Sequence, residues 1–406
     1  MAGLYIHIPF CKSRCIYCGF YSTTDEKWRQ RYVDAVCREM EMRSLPPSPS
    51  KERGRIDTIY LGGGTPSQLT IPQLEQLFIY INKVYAPPLY LEGDGRRLEI
   101  TIEVNPDDVT VEFAAVLRRL PVNRVSMGAQ TFNDERLLFL HRRHTAEQVS
   151  LAVQRLRNAG IRNISVDLMY GFPNETLADW QRDIDAALSL DVEHLSAYCL
   201  MIEEGTVLAR MLHKGDGSRC VISQETTQME PSPICDEELE RQMYEVLIDK
   251  LTAAGYEHYE ISNFARPGYR SRHNSSYWND TPYIGLGAAA HSYTVLGGFA
   301  ADPYAVRSWN IADLRQYVDA IQRGEIPCER EVIDADTHYN DRITVALRTS
   351  DGLDLDTLSD KYRHYCLHEA QRFITDGLLR CDGHHLVLTR KGLFVSDYIM
   401  SSLVYA

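Results

Sequence analysis

Short β-rich runs and longer amphipathic helical runs alternate over the first 255 residues, and this alternation restricts the fold more than any other feature. Helical patterns such as residues 146–160 separate the β-rich runs. The predicted strands are LYIHIP (4–9), DTIYLGG (57–63), EITIEVN (99–105), RVSMGAQ (124–130), ISVDLMYG (164–171) and HLSAYCL (194–200). Six successive βα units predict a parallel sheet, either doubly wound or curled into a barrel.

The positions of polar residues favour the barrel. Each predicted strand carries an unusual residue at or just beyond its C-terminal half: Cys11, Gly62 to Thr65, Glu103, Gln130, Asp167 and Tyr198. In a parallel α/β barrel these strand ends meet at one mouth, where active sites are built. Polar side chains within apolar strands cost stability unless they bind something. We therefore predict an α/β fold with a partial (β/α)6 TIM-like barrel over residues 1–235.

The remaining chain is predicted to close the barrel over residues 236–300 and to form a C-terminal domain over 301–406. Helical patterns there precede a hairpin, LLRCDGHHLVLT, that turns at Asp382-Gly383. A final helix, KGLFVSDYIM, follows. This order predicts a mainly helical, winged-helix-like domain that packs as a lid rather than reads DNA. Three polar insertions, 44–54, 86–97 and 214–238, are predicted to be loops.

Charge and hydropathy exclude two classes of partner. The formal net charge of −13 disfavours binding to a phosphate backbone. No run reaches the roughly 20 apolar residues that a membrane span requires. The N-terminal MAGLYIHIPF has no basic region and does not resemble a signal peptide, so we expect a cytoplasmic protein with reduced cysteines.

Three of the ten cysteines, Cys11, Cys15 and Cys18, form one C-x3-C-x2-C cluster. Structural zinc normally requires four ligands from two separate pairs, and His7 is an awkward fourth ligand inside a strand. An iron–sulfur cluster accepts three protein thiolates if its remaining iron takes another ligand. The triplet at the end of the first strand favours the cluster, with zinc or free thiols as the alternatives.

CKSRCIYC, with Tyr17 before the last cysteine, resembles the radical S-adenosylmethionine (SAM) superfamily. The ordered motifs YIHIPFC, LGGGTP, IEVNP, GAQTFN, LHRRH and DLMYGFP resemble its branch of oxygen-independent coproporphyrinogen III oxidases and HemW haem chaperones. The resemblance implies that the three cysteines hold a 4Fe–4S cluster whose open iron binds SAM. An electron from that cluster then cleaves a SAM C–S bond to generate a 5′-deoxyadenosyl radical.

The resemblance also implies a SAM-binding role for residues in each motif. Gly63 and Gly64, with Gly62, let the backbone approach the SAM amino group, which Glu103 neutralises. Arg142 pairs with the SAM carboxylate. The complete implied set is Tyr5, Tyr17, Gly63, Gly64, Thr65, Glu103, Gln130, Arg142, Asp167 and Ala197, with Gln130 and Asp167 on the ribose and the Ala197 strand along the adenosyl group.

Two features separate the oxidases from the haem chaperones. In the oxidases of this branch the pattern is C-x3-C-x2-C-x-C, and this chain has Phe20 in place of the fourth cysteine. The oxidases also carry an N-terminal extension, whereas only ten residues precede Cys11 in this sequence. Residues 273–278 read HNSSYW, the H-N-x-x-Y-W pattern of the HemW group. The resemblance implies that His273, Asn274, Tyr277 and Trp278 bind haem, with an imidazole on the iron and flat rings on the macrocycle. The alternative is a structural loop that closes the barrel, in which His273 is only hydrogen-bonded.

The leading prediction is therefore a cytoplasmic haem chaperone on a radical SAM scaffold, holding a 4Fe–4S cluster, SAM and haem. Its predicted partners are haem or a porphyrinogen, haem-acceptor proteins such as respiratory enzymes, and an electron-donor protein. The alternative is an oxygen-independent coproporphyrinogen III oxidase that decarboxylates two propionates. His291, in GLGAAAHSY, is a weaker candidate for the cofactor pocket.

Overall fold

Six parallel strands form the centre of the fold in the computed structural model, which describes residues 2–43, 56–85, 97–213, 236–296 and 304–405. They pair in chain order, β1 with β2 through β5 with β6. The strands are β1 (Ala2–Ile8), β2 (Ile56–Gly63), β3 (Glu99–Val104), β4 (Arg124–Gln130), β5 (Asn163–Tyr170) and β6 (His194–Cys199). The predicted βα succession is confirmed.

Helices connect these strands and cover the outside of the barrel. They are α1 (Arg29–Arg43), α2 (Ile71–Tyr85), α3 (Val111–Arg119), α4 (Asp134–Phe139), α5 (Ala146–Asn158) and α6 (Leu177–Ser189), with 3₁₀ turns at Glu26–Trp28, Pro66–Gln68 and Pro106–Asp108. Capping boxes at Thr145–Gln148 and Thr176–Asp179 fix the starts of α5 and α6. Outward residues of the strands, such as Leu4, Ile6 and Ile8, are fully buried beneath this helical layer.

The sheet extends on both sides of the parallel block with antiparallel strands. Its complete order is β12-β11-β10-β9-β1-β2-β3-β4-β5-β6-β8-β7, so β12 and β7 form the two edges of an open, partial barrel. The added elements are α7 (Val207–His213), α8 (Glu237–Ala253), β7 (Glu257–Glu260), β8 (Asn263–Ala265), α9 (Arg272–Trp278), β9 (Tyr283–Leu286), β10 (His291–Val295), β11 (Ala305–Asn310), α10 (Leu314–Arg323) and β12 (Cys328–Ile333). The sequence did not predict the strands from β9 to β12.

The C-terminal residues form a helical region with a small three-stranded sheet, ordered β13-β15-β14. Its apolar core is separate from that of the barrel and includes Tyr339, Phe373 and Leu386. The elements are α11 (Ala335–Ala346), β13 (Leu353–Asp354), a 3₁₀ turn at Leu355–Thr357, α12 (Asp360–Thr375), β14 (Leu379–Asp382), β15 (His385–Leu388), α13 (Arg390–Leu393) and α14 (Ser396–Ser402). The predicted domain limits at 235 and 300 stay predictions.

One sequence prediction for the C-terminal region is wrong, and the predicted insertion loops lie largely outside the described residues. The single helix expected for KGLFVSDYIM is wrong, because Val395 leaves the helical conformation between α13 and α14. The adjacent Phe394 packs edge-on against Tyr244 of α8. The three predicted insertion loops lie largely outside the described residues, as do Cys220 and Cys235. Within the described ranges, no helix is both long and apolar enough to cross a membrane.

Candidate cofactor-binding site

A cavity of about 440 Å³ opens at the C-terminal ends of the six parallel strands. Its wall includes the cysteine loop, the segment after β2, and side chains from β2 through β6. Strand residues facing it alternate with those buried under the helices, and most are polar: Tyr60, Glu103, Arg124, Ser126, Ser165, Asp167 and Ser196. The size suits one small organic cofactor.

The cysteine loop forms one side of this cavity, and all three thiols of Cys11, Cys15 and Cys18 line it. Backbone hydrogen bonds from Cys11 to Thr23 and from Thr23 to Pro9 close the base of the loop at 2.9 and 2.7 Å. Burial raises the pKa of Cys11 and of Cys18. Across the described ranges, no three side chains of His, Cys, Asp or Glu are gathered closely enough for a single metal ion.

Polar groups next to the thiols match the charge of an anionic cluster. The Arg142 guanidinium donates to Cys15 Sγ at 3.6 Å, and Thr65 Oγ1 lies 3.5 Å from Cys11 Sγ. Hydrogen bonds to thiolate sulfur stabilise the deprotonated ligand and tune the cluster that it holds. Three thiols on one loop, with donors beside two of them, therefore fit a cluster that takes three protein ligands.

The glycines at the end of β2, Gly62 to Gly64, pack so closely against their neighbours that side chains are excluded. Gly63 has φ +111°, a conformation that favours glycine. A Cβ on Gly64 would lie 2.7 Å from the carbonyl carbon of Pro9, and one on Gly62 would lie 2.9 Å from Glu103 Oε1. Gly63 and Gly64 therefore form a cradle that presents bare backbone to the cavity.

Glu103 lies beside this cradle as a half-buried side chain whose carboxyl is enclosed by protein groups. It accepts hydrogen bonds from Tyr60 Oη at 2.8 Å and from the Gly63 backbone N–H at 3.0 Å. Loss of hydration raises its pKa to about 7, although both hydrogen bonds oppose that shift. A buried carboxyl of this kind is ready to pair with an incoming cation.

Arg142 is held in place by two oxygen acceptors as well as by Cys15. It donates to Asn105 Oδ1 at 2.8 Å and to the Gly128 carbonyl at 2.5 Å. Its guanidinium forms no ion pair within the described ranges, so its charge remains available to an anionic ligand. Asn105 belongs to the IEVNP motif, but sequence reasoning assigned it no role.

The far wall of the cavity is formed by the ends of β4, β5 and β6. Gln130 lines it with an unusual φ of +70°, and Asp167 lies beside Ser126 Oγ at 3.4 Å. Burial raises the pKa of Asp167 to about 6. The Ala197 side chain instead packs in the main apolar core, while Ser196 and Tyr198 on either side of it line the cavity. Sequence analysis named Tyr198 among the strand-end residues but missed Ser196, which the period-two alternation of β6 could have identified.

The two predicted tyrosines occupy different places. Tyr17 lines the cavity beside the cysteines. Tyr5 points into the barrel from β1, where its hydroxyl lies 3.0 Å from His7 Nδ1 and its ring is 6.4 Å from that of His273. Tyr5 is therefore part of the barrel interior rather than of the cavity wall.

The HNSSYW segment forms α9 and lies near the beginnings of the strands, opposite the cysteine loop. The backbone N–H groups of Arg272 and His273 donate to the Glu99 carboxylate at the start of β3, at 3.2 and 3.0 Å. Asn274 reaches the cavity wall. Trp278 lies further out, with its ring 6.0 Å from that of Tyr259.

His273 is buried with both ring nitrogens in hydrogen-bond contact. Its Nδ1 lies 2.8 Å from Thr58 Oγ1, and its Nε2 lies 3.0 Å from Tyr277 Oη. The ring stacks on Tyr60 at 5.0 Å, and burial lowers its pKa to about 3. These contacts are the ones expected if the HNSSYW segment is a structural element that closes the barrel and His273 is only hydrogen-bonded. His291 lies elsewhere, with its ring 5.9 Å from that of Trp309.

Comparison with known proteins agrees with this architecture. Residues 5–187 match the family model of the radical SAM superfamily, and residues 333–395 match that of the HemN C-terminal domain. The solved structure of Escherichia coli coproporphyrinogen III oxidase (HemN), described as a radical SAM enzyme, has the same fold, with a TM-score of 0.78 at 22% identity. The match covers 99% of this chain and 90% of that one. The fold and the cysteine loop together define this chain as a radical SAM protein.

Relatives at higher identity specify the family. "Heme chaperone HemW" of Bacillus subtilis (strain 168) is 34% identical over 363 residues, which cover 89% of this chain and 87% of the relative. The protein of the same name from Lactococcus lactis is 32% identical over 407 residues, covering 98% and 96% of the two chains. This chain belongs to the HemW family.

Proposed function

We propose that this chain is a cytoplasmic haem chaperone that holds a 4Fe–4S cluster and SAM in its barrel and passes haem to acceptor proteins. The observation that carries the proposal is agreement with proteins named as haem chaperones over almost the whole chain. The cavity supports the cofactor part of the proposal, because thiols, a glycine cradle, the Glu103 carboxyl and the Arg142 guanidinium line one space. The proposed partners are haem-acceptor proteins, such as respiratory enzymes, and an electron-donor protein.

Each cavity residue has a proposed task. Cys11, Cys15 and Cys18 hold the cluster, and Glu103 and Arg142 orient SAM by its ammonium and carboxylate groups. Gln130 and Asp167 hold the ribose. When bound, the cluster and SAM together supply one-electron C–S bond cleavage. The protein's own contribution is to orient these groups and to exclude water from them.

Haem ligation by His273, the alternative that the motif resemblance implies, has a structural requirement. The imidazole would first have to leave Thr58 or Tyr277, and α9 would have to move from the beginnings of the strands to expose the ring. Leaving Thr58 without its partner costs on the order of 1–3 kcal/mol.

An anaerobic assay with coproporphyrinogen, SAM and a reductant tests the function directly. We expect no protoporphyrinogen at a catalytic rate, because Phe20 occupies the position where the oxidases have a further cysteine. In a parallel assay, the haem-loaded chain should transfer haem to an apo acceptor, followed by the acceptor's Soret band. Catalytic formation of protoporphyrinogen would establish the oxidase alternative instead.

The pKa of Glu103 predicts how cofactor binding depends on pH. A SAM ammonium pairs with the carboxylate but not with the neutral acid, so affinity for S-adenosylhomocysteine should be constant above about pH 7. Below about pH 7 the affinity should fall by up to about tenfold for each pH unit. Asp167 adds a second inflection near pH 6.

Equilibrium dialysis on the reconstituted protein, with cluster absorbance as a check at each pH, measures this dependence. Glu103→Gln is the matched variant, because it keeps the shape of the side chain but cannot titrate. It should bind more weakly and show no inflection near pH 7. A wild-type affinity that does not change between about pH 6 and 8 would contradict the role of Glu103.

A further inference from the structure

A haem site requires an apolar surface for the macrocycle, cations for two propionates and a free iron ligand. In α9, His273 offers no free ligand without rearrangement, since the helix buries its ring and both ring nitrogens are in contact with partners. The mouth of the cavity offers all three.

Large apolar side chains are exposed together at this mouth. Phe20 is 70% exposed, Met201 69% and Tyr198 42%, and all three line the cavity. A cluster of exposed apolar side chains rimmed by polar groups marks a binding surface. Leu200, the neighbour of Met201 in the chain, packs with Ile16 and Leu140 in a small core of its own.

Positive charge lies beside this apolar surface. Lys12 and Arg14 are exposed on the cysteine loop and line the same cavity. Neither forms an ion pair in the part of the chain that the structure describes, although the whole chain carries a net charge of −13. Two unpaired cations next to an apolar platform complement a flat molecule with two carboxylates.

His141 supplies a candidate iron ligand at the same mouth. It is exposed, lines the cavity, and has φ +61°, a conformation that is rare outside glycine and is concentrated at functional sites. Its neighbour Leu140 is buried in the small core, and Arg142 is held by Asn105, so the backbone at His141 is fixed from both sides. No side-chain hydrogen bond of its imidazole is found among the described residues.

We propose that haem binds at the cavity mouth, with His141 on the iron, Phe20, Tyr198 and Met201 against the macrocycle, and Lys12 and Arg14 facing the propionates. The proposal rests on the proposed haem-chaperone function and assigns its cargo to a site distinct from α9. Haem at this place covers the entrance to the cofactor cavity.

Titration of haemin into the full, cluster-reconstituted chain tests the ligand. His141→Ala should shift the Soret band and weaken binding at least about tenfold. His273→Ala should leave the Soret position unchanged, as should the matched control His291→Ala. Circular dichroism and cluster absorbance verify that each variant is folded.

Two surface substitutions keep the test decisive if His141→Ala does not fold. Phe20→Ser should weaken haem binding about tenfold, whereas Leu138→Ser, at a residue that is 74% exposed but outside the cavity, should not. Lys12→Glu should weaken binding of haem but not of haem dimethyl ester, which lacks free carboxylates. Lys27→Glu, exposed but outside the cavity lining, is its control.

The outcomes separate the two proposals. Failure of the wild type to bind haem overturns the proposed function and with it this site. Normal haem binding by the wild type, with no effect of the mouth substitutions and loss of the Soret band in His273→Ala, overturns the mouth site and leaves the function intact.

Discussion

Replacing Cys15 by alanine should prevent assembly of the iron–sulfur cluster. Cys15 is one of three proposed protein ligands, and it also accepts the hydrogen bond from Arg142 at 3.6 Å. Two thiolates cannot hold a cluster that already leaves one iron without a protein ligand. After anaerobic reconstitution, iron and sulfide bound per chain should fall at least about tenfold below the wild type.

Cys381→Ala is the matched control, because Cys381 is an exposed free cysteine of β14 in the C-terminal region. It should bind iron and sulfide as the wild type does. Metal analysis of the wild type distinguishes the zinc alternative, in which zinc without sulfide is found. Unchanged iron content in Cys15→Ala would refute the ligand assignment.

Replacing Glu39 by alanine should cause the largest loss of stability. This carboxylate is fully buried in α1 and accepts hydrogen bonds from Arg43 Nε at 2.8 Å, Asn310 Nδ2 at 2.8 Å, the Gly287 N–H at 2.9 Å and Tyr317 Oη at 2.6 Å. Its removal leaves a guanidinium and three further donors without their acceptor. The free energy of unfolding should fall by about 3–5 kcal/mol.

Glu41→Ala, two residues along the same helix, provides the comparison. Glu41 pairs with Lys83 at 2.6 Å, but the two side chains are 41% and 62% exposed to solvent, so the loss should be about 1 kcal/mol or less. Urea denaturation followed by circular dichroism measures both variants. Equal losses would show that the Glu39 cluster does not hold α1 against the β9 and α10 segments.

The parallel half of the barrel was predictable because its signals are local. Alternating polar and apolar residues in β4 and β5 specify which side chains face inward, and the capping box at Thr145 defines where α5 begins. The order of strands then brings their C-terminal ends together. That is why Glu103, Gln130 and Asp167 line one cavity, as their positions on successive strands indicated.

Other features depend on contacts that no local pattern encodes. Glu39 is one of several charged residues in α1, and no local pattern marks it as buried, because its partners Gly287 and Asn310 lie more than 240 positions away. Ala197 lies on the face of β6 that the helices cover, so only its neighbours reach the cavity. The strand β9 was missed because it pairs with β1, which lies far away along the chain, and β10 to β12 only extend the sheet outward from β9.

The sequence by itself determined the class of protein, the cysteine loop, and the strand ends that carry the proposed cofactor residues. These depend on spacing along the chain and on a period of two. Only the tertiary structure decided that His273 is enclosed between Thr58 and Tyr277 at the far end of the barrel while Phe20 and His141 are exposed at the cavity mouth. Burial and hydrogen bonding of a side chain depend on which distant segment packs against it, and a motif does not contain that information.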